Sequence, residues 1–178
     1  MTSISTERLD LLLLTEEFLE ATAAGRKTGL GEVVIPEDWW EERAIAELRA
    51  ADMRKDESYR PWSIRAMVER KTGVMVGFCG FHTPPDPPYL EERNGGVELA
   101  YTVFAPFRQR GFATEAARGM MDWARQEHGV RQFVVSIGVA NLASMLVAGK
   151  LGFVRVGQHV DPVDGLELVY LCRMSFAY

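Results

Sequence analysis

The stretch Arg108-Gln109-Arg110-Gly111-Phe112-Ala113-Thr114-Glu115 concentrates the residue types that hold an anion. Gly111 and Ala113 keep side chains clear of the backbone, so consecutive N–H groups can point at an anion where a helix begins. Arg108 and Arg110 add charged donors for the same oxygens, and Thr114 adds a hydroxyl at the mouth of that helix. The ligand implied carries phosphate. A nucleoside triphosphate loop requires Gly-x-x-x-x-Gly-Lys-[Ser/Thr] and a dinucleotide loop Gly-x-Gly-x-x-Gly. Neither pattern occurs in the chain.

Just upstream, Val97 to Phe104 alternates as a strand, with Glu98, Ala100 and Thr102 on one face and Val97, Leu99, Tyr101 and Val103 on the other. A carboxylate at Glu98 can serve as a general base, or it can be a rim acid paired with an arginine. Ser144 can bond its own helix backbone or a ligand. Cys79 and His82 lie three apart on a strand, which sends their side chains to opposite faces and excludes a nucleophilic pair. His128 and His159 lack partners at metal-ligand spacing, so no metal is expected. Trp39, Trp40 and Trp62 read as core or acceptor-site wall rather than as a stacking platform, and Glu91-Glu92-Arg93 as a solvated loop.

The elements that must position these residues follow from periodicity and punctuation. Thr6 to Leu14 suits a strand, and Thr15 caps a helix from about Glu16 to Ala24. After a connection marked by Gly25, Gly29 and Gly31, Pro36-Glu37-Asp38 starts a second helix running through Ala51. Trp62 to Glu69 and Val74 to Phe81 form a hairpin across Lys71-Thr72-Gly73. Pro84, Pro85, Pro87 and Pro88 make His82 to Gly96 a surface loop. The strand at Gly96 to Phe104, a helix from Ala113 to His128 and a strand from Gln132 to Val139 form a β-α-β crossover. A short helix from Asn141 to Lys150 ends at Gly152, and strands at Phe153 to Val160 and Leu166 to Met174 form an antiparallel pair.

Composition narrows the class further. The 178 residues are 47% hydrophobic and 25% charged, the balance of one ordinary soluble domain, here assigned to 1–178. A formal charge of -5 argues against nucleic acid or anionic membrane as partner. No segment approaches a membrane span and no secretory leader opens the chain, so a cytoplasmic location is expected. Cys79 and Cys172 read as buried, reduced thiols.

Arg108, Gly111 and Ala113 match the [Gln/Arg]-x-x-Gly-x-[Gly/Ala] pyrophosphate loop of the GCN5-related N-acetyltransferases (GNAT superfamily), which this region resembles. Asn141-Leu142-Ala143-Ser144 and Lys150-Leu151-Gly152-Phe153 are similar to the Asn-x-x-Ser and Lys-x-Gly-Phe signature of its RimJ/RimL-like branch, and Thr6-Glu7-Arg8-Leu9 looks like that branch's first strand. The likeness runs from the first strand to the last. It implies an α/β (α+β) fold, with a mixed central sheet of about six to seven strands, a splayed central strand pair and about four flanking helices.

The function implied is transfer of acetyl from acetyl-CoA, the only co-substrate and without a metal, to a primary amine by direct attack in a ternary complex. The acceptor is a protein N-terminus, as in ribosomal-protein-alanine acetyltransferases, or a small amine. An antibiotic- or polyamine-modifying enzyme and a catalytically silent acyl-CoA-binding module stay open, as does a homodimer. The resemblance assigns cofactor binding to Tyr101, Thr102 and Val103, to Arg108, Gln109, Arg110, Gly111, Phe112, Ala113 and Thr114, and to Asn141 and Ser144. It assigns the base to Glu98, with Asp161 or a water chain next in line, and a main-chain N–H near Val103 to the developing negative oxygen. Many members carry a tyrosine where this chain has Ala148, which moves assistance of the leaving thiolate to Ser144.

Overall fold

The computed structural model describes residues 3–86 and 96–174. The loop prolines Pro87 and Pro88 and the Glu91-Glu92-Arg93 run lie outside those residues. Eight strands form one mixed sheet: β1 (Ser3–Ser5), β2 (Leu9–Leu13), β3 (Arg65–Glu69), β4 (Val74–Phe81), β5 (Val97–Val103), β6 (Gln132–Gly138), β7 (Val154–Asp161) and β8 (Gly165–Arg173). Their spatial order is β1-β2-β3-β4-β5-β6-β8-β7. The helices are α1 (Glu16–Ala23), α2 (Glu37–Trp40), α3 (Arg43–Lys55), α4 (Phe112–His128) and α5 (Leu142–Lys150), with 3₁₀ turns at Glu57–Trp62 and Ala105–Phe107.

Three local expectations are corrected. The strand expected over Thr6 to Leu14 covers only Leu9–Leu13: the Thr6 N–H donates to the Leu9 carbonyl in a turn, and an additional strand, Ser3–Ser5, pairs back on it. The second helix is broken after Trp40, where Glu42, with ψ of 36°, leaves the helical path before α3 starts. The strand expected from Trp62 begins at Arg65, since Pro61 and Trp62 close a 3₁₀ turn whose Tyr59 hydroxyl donates to the Phe81 carbonyl.

Helices cover both faces of the sheet centre. On one face Phe18 of α1 stacks on Trp39, which meets Phe78 of β4 edge-on. On the other, Trp123 of α4 stacks against Phe81. Burial on both sides explains why β3 is buried along its whole length, Arg65 included, instead of alternating.

The feature that positions the site is where β5 stops pairing. β5 is antiparallel to β4 from Leu99 to Val103, but parallel to β6 only at Val97 with Phe133 and Glu98 with Val134. Beyond Glu98, β6 follows β8 along its full length while β5 stays with β4, and a wedge opens between them. The close approach of β4 to β5 depends on Gly77, where an added Cβ would lie 2.1 Å from the Thr102 carbonyl oxygen. Gly77→Ala must therefore push β5 from β4, and we expect a loss of about 2–3 kcal/mol, read as a lower midpoint in thermal or denaturant unfolding.

Candidate active site

The wedge exposes main chain. The Glu98 carbonyl accepts from the His82 N–H and the Phe104 N–H donates to the Val76 carbonyl, so Glu98, Ala100, Thr102 and Phe104 direct their main-chain groups at β4. By alternation, those of Tyr101 and Val103 face the wedge. The Val103 carbonyl accepts from Arg108 Nε at 3.0 Å, which leaves its N–H and both groups of Tyr101 available for an extended ligand. Thr102 is the member of the expected trio whose backbone is spent on β4, opposite Phe78.

At the wide end lies the Arg/Gly loop. Gln109 and Gly111 take left-handed backbone, with φ of 61° and 83°. Gly111 caps α4, and the N–H groups of Phe112, Ala113 and Thr114 open the helix without intrahelical acceptors. They form an anion cradle at the positive end of a helix dipole. The Arg110 guanidinium is drawn to Glu69 of β3, Nη2 to Oε1 at 2.6 Å, and stays half exposed.

At the narrow end, the Glu98 carboxylate is buried with 7% exposure. The Ser136 hydroxyl donates to its Oε1 at 2.6 Å, and His82 Nδ1 lies 3.5 Å from its Oε2. Asn141 caps α5 by accepting the Ser144 N–H at 3.1 Å, which leaves its amide N–H groups for a ligand. The Tyr101 hydroxyl crosses the wedge and donates to the Ser144 carbonyl at 3.3 Å. Burial raises the pKa of that phenol, with hydrogen bonding at Ser144 working against it, so it stays protonated at neutral pH. Ala148 is buried, so the position that carries tyrosine in many relatives here packs into the core.

A cavity of about 380 Å³ joins these groups, lined by His82, Glu98, Tyr101, Ser136, Asn141 and Ser144, with Asp164 and Glu167 at the β7–β8 rim. None of the described residues lining it is Lys or Arg. Burial, then the nearby charges of Asp161, Asp164 and Glu98, raise the Glu167 pKa against the pull of His159. Main-chain N–H groups of Asp164 and Val163 lower that of Asp161. Cys79 lies outside this cavity, and burial pushes its thiol up to about 12.

The wedge thus brings Glu98, Tyr101, Asn141 and Ser144 to one cavity; Val103 lies further along β5, and Gly111 and Thr114 line a separate cavity beside Arg8. Sequence reasoning weighed His82 only as a partner of Cys79 and passed over Ser136 and Glu167. Register carried the only signal for them: His82 follows the Phe81 pair with Leu99, Ser136 lies two residues past the Glu98 pair with Val134, and Glu167 faces Gly138.

Comparison with known proteins shows the family and the fold. The model of a family described as an acetyltransferase (GNAT) domain matches residues 8–154. The curated protein named uncharacterized N-acetyltransferase YjdG, from Bacillus subtilis, is 28% identical over 88 residues, 49% of this chain and 49% of that protein. In that match the chain spans about half the length of its curated relative. Among solved structures, an acetyltransferase from Agrobacterium tumefaciens has a TM-score of 0.65 at 21% identity, covering 98% of this chain and 95% of that one. An acetyltransferase from Salmonella typhimurium that modifies the N-terminal serine of ribosomal protein L7/L12 has a TM-score of 0.68 at 15% identity, covering 98% and 100%. RimL, the ribosomal L7/L12 alpha-N-protein acetyltransferase in complex with coenzyme A, has a TM-score of 0.68 at 17% identity, covering 97% and 98%. At these identities the solved structures share the fold.

Proposed function

The chain belongs to the GNAT acetyltransferase family, and we propose that it moves an acetyl group from acetyl-CoA to a primary amine by direct attack in a ternary complex. The observation that carries this is the wedge itself: unpaired main chain on β5 runs from the helix-opening cradle to a buried carboxylate. Those three parts fit the three parts of the co-substrate. Phe112, Ala113 and Thr114, with Arg108, would hold its diphosphate; Tyr101 and Asn141 would hold its pantetheine amides. Acetyl-CoA supplies an activated thioester carbonyl with a sulfur leaving group.

The chain's own residues supply the proton chemistry. An amine acceptor arrives mostly protonated at neutral pH, and Glu98, buried in the cavity wall, would take that proton. The Val103 N–H, free of sheet pairing, is the donor for the oxygen that gains charge. Ser144, at the first turn of α5 beside the Tyr101 hydroxyl, hydrogen-bonds the departing sulfur. Ser144→Ala should lower kcat about tenfold while leaving the Kd for coenzyme A within about twofold. The reverse ranking, measured by turnover and calorimetry, would make Ser144 a binding residue.

For the acceptor, the solved structures with N-terminal serine and L7/L12 specificity support a protein N-terminus. A second reading, a small polyamine, is favoured by the carboxylates of Glu98, Asp164 and Glu167 around the cavity. A thiol-release screen over peptide N-termini, polyamines, aminoglycosides and amino acids tests both. Coenzyme A binding without turnover on any acceptor would leave a silent acyl-CoA-binding module. The absence of binding would overturn the proposal outright.

Among the described residues no helix is long and apolar enough to cross a membrane. Cytoplasmic location is the reading consistent with that and with two free, buried cysteines.

A further inference from the structure

The turn between β1 and β2 reaches across the sheet edge into the loop that opens α4. The main-chain N–H of Arg8 donates to Glu115 Oε1 at 2.6 Å, and its Nε to Glu115 Oε2 at 2.7 Å. Its Nη1 donates to the Arg110 carbonyl at 3.0 Å. Its guanidinium also lies over the Phe112 ring, 4.8 Å from the centroid. Thr6 adds its hydroxyl to Glu115 Oε1 at 2.6 Å. Arg110 also lies over that ring, at 4.7 Å, while paired to Glu69, which the Thr72 hydroxyl holds at 2.8 Å.

Each of these two arginines is therefore matched by a glutamate, and neither offers its full charge to a ligand. Their effect is on shape. Arg110 sits between two residues in left-handed backbone, one of which, Gln109, is not glycine. Such a conformation persists only where the surroundings over-determine it. In a trans peptide the C=O and the following N–H point in opposite directions. With the Arg110 carbonyl drawn to Arg8, the Gly111 N–H is turned to the side away from Arg8.

We propose that Arg8 is a positioning residue for the diphosphate cradle. It turns the Arg110–Gly111 peptide so that the Gly111 N–H joins those of Phe112 and Ala113, and it neutralises Glu115, whose carboxylate would otherwise repel an anion in the first turn of α4. The inference rests on the reading that this loop holds the diphosphate of acetyl-CoA, and goes beyond it by assigning the loop's geometry to a residue 102 positions away from Arg110.

The test compares two donors, acetyl-CoA and S-acetylpantetheine, which carries the same thioester without the diphosphate. Arg8→Ala should raise KM for acetyl-CoA about tenfold or more, with KM for S-acetylpantetheine and kcat for both unchanged. Arg8→Lys retains the charge but cannot bond Glu115 and the Arg110 carbonyl together while lying flat on Phe112, and should recover only part of the loss. If Arg8→Ala does not fold, Arg8→Lys carries the same comparison. Equal losses with both donors would make Arg8 a merely structural residue, and an unchanged KM for acetyl-CoA would also overturn the proposal. A wild-type enzyme that prefers acetyl-CoA while the Arg8 variants keep that preference sinks the Arg8 assignment alone. A wild type with no such preference sinks the diphosphate loop, and this inference with it.

Discussion

Gly111→Leu is expected to abolish measurable acetyl-CoA binding, weakening it at least about 100-fold, while the protein remains folded. Two independent effects combine at this position. Gly111 has φ of 83°, where a side chain costs about 1–3 kcal/mol, and relaxing that angle would rotate the N–H groups that form the cradle. An added Cβ would also lie 3.4 Å from Arg8 Nη2, and the isobutyl group beyond it would crowd the guanidinium that holds the Arg110 carbonyl. Gly111→Ala separates the two, since it brings the strain with little of the bulk, and should fall between Leu and wild type. Calorimetric titration with coenzyme A and a thermal melt on each variant give the answer. Unchanged affinity in a folded Gly111→Leu protein would remove the phosphate from this loop.

That prediction was within reach of the sequence because chemistry and periodicity coincide there. The apolar alternation before the loop and the 3.6-residue pattern after it place β5 and α4 within a residue of their observed bounds, Val97–Val103 and Phe112–His128. Elsewhere the deciding interactions are distant. Glu115 looks like an ordinary acid in a first helical turn, and nothing local links it to Arg8, 107 residues earlier. The hairpin at the chain start is hidden because β1, Ser3–Ser5, is only three residues long with one apolar side chain, and Thr6 closes the turn with its own side chain and N–H. The wedge has no sequence signal of its own. It arises from two ladders, β4 with β5 and β6 with β8, each longer than the two-residue contact between β5 and β6. The residues that complete the cavity, His82, Ser136 and Glu167, are common polar types in strands, and only register gives them a shared address.

Glu98→Gln is expected to lower kcat about 10²- to 10⁴-fold with near-normal affinity for acetyl-CoA. The substitution keeps the shape of the site. The Ser136 hydroxyl, which donates to Glu98 Oε1 at 2.6 Å, can equally bond an amide, so the buried position stays satisfied and the fold should hold. What is lost is the capacity to take a proton from the incoming amine, and the acidic limb of the kcat/KM profile should disappear with it. A linked effect separates base removal from general damage. Glu98 is one of the charges that raise the Glu167 pKa, so in Glu98→Gln that carboxyl should titrate lower than in wild type. Carboxyl titration followed by NMR would show it. Ordinary turnover in this variant would pass the base to Asp161 or to a water chain. A loss of turnover together with weakened acetyl-CoA binding would mean that the cavity had rearranged rather than lost its proton acceptor.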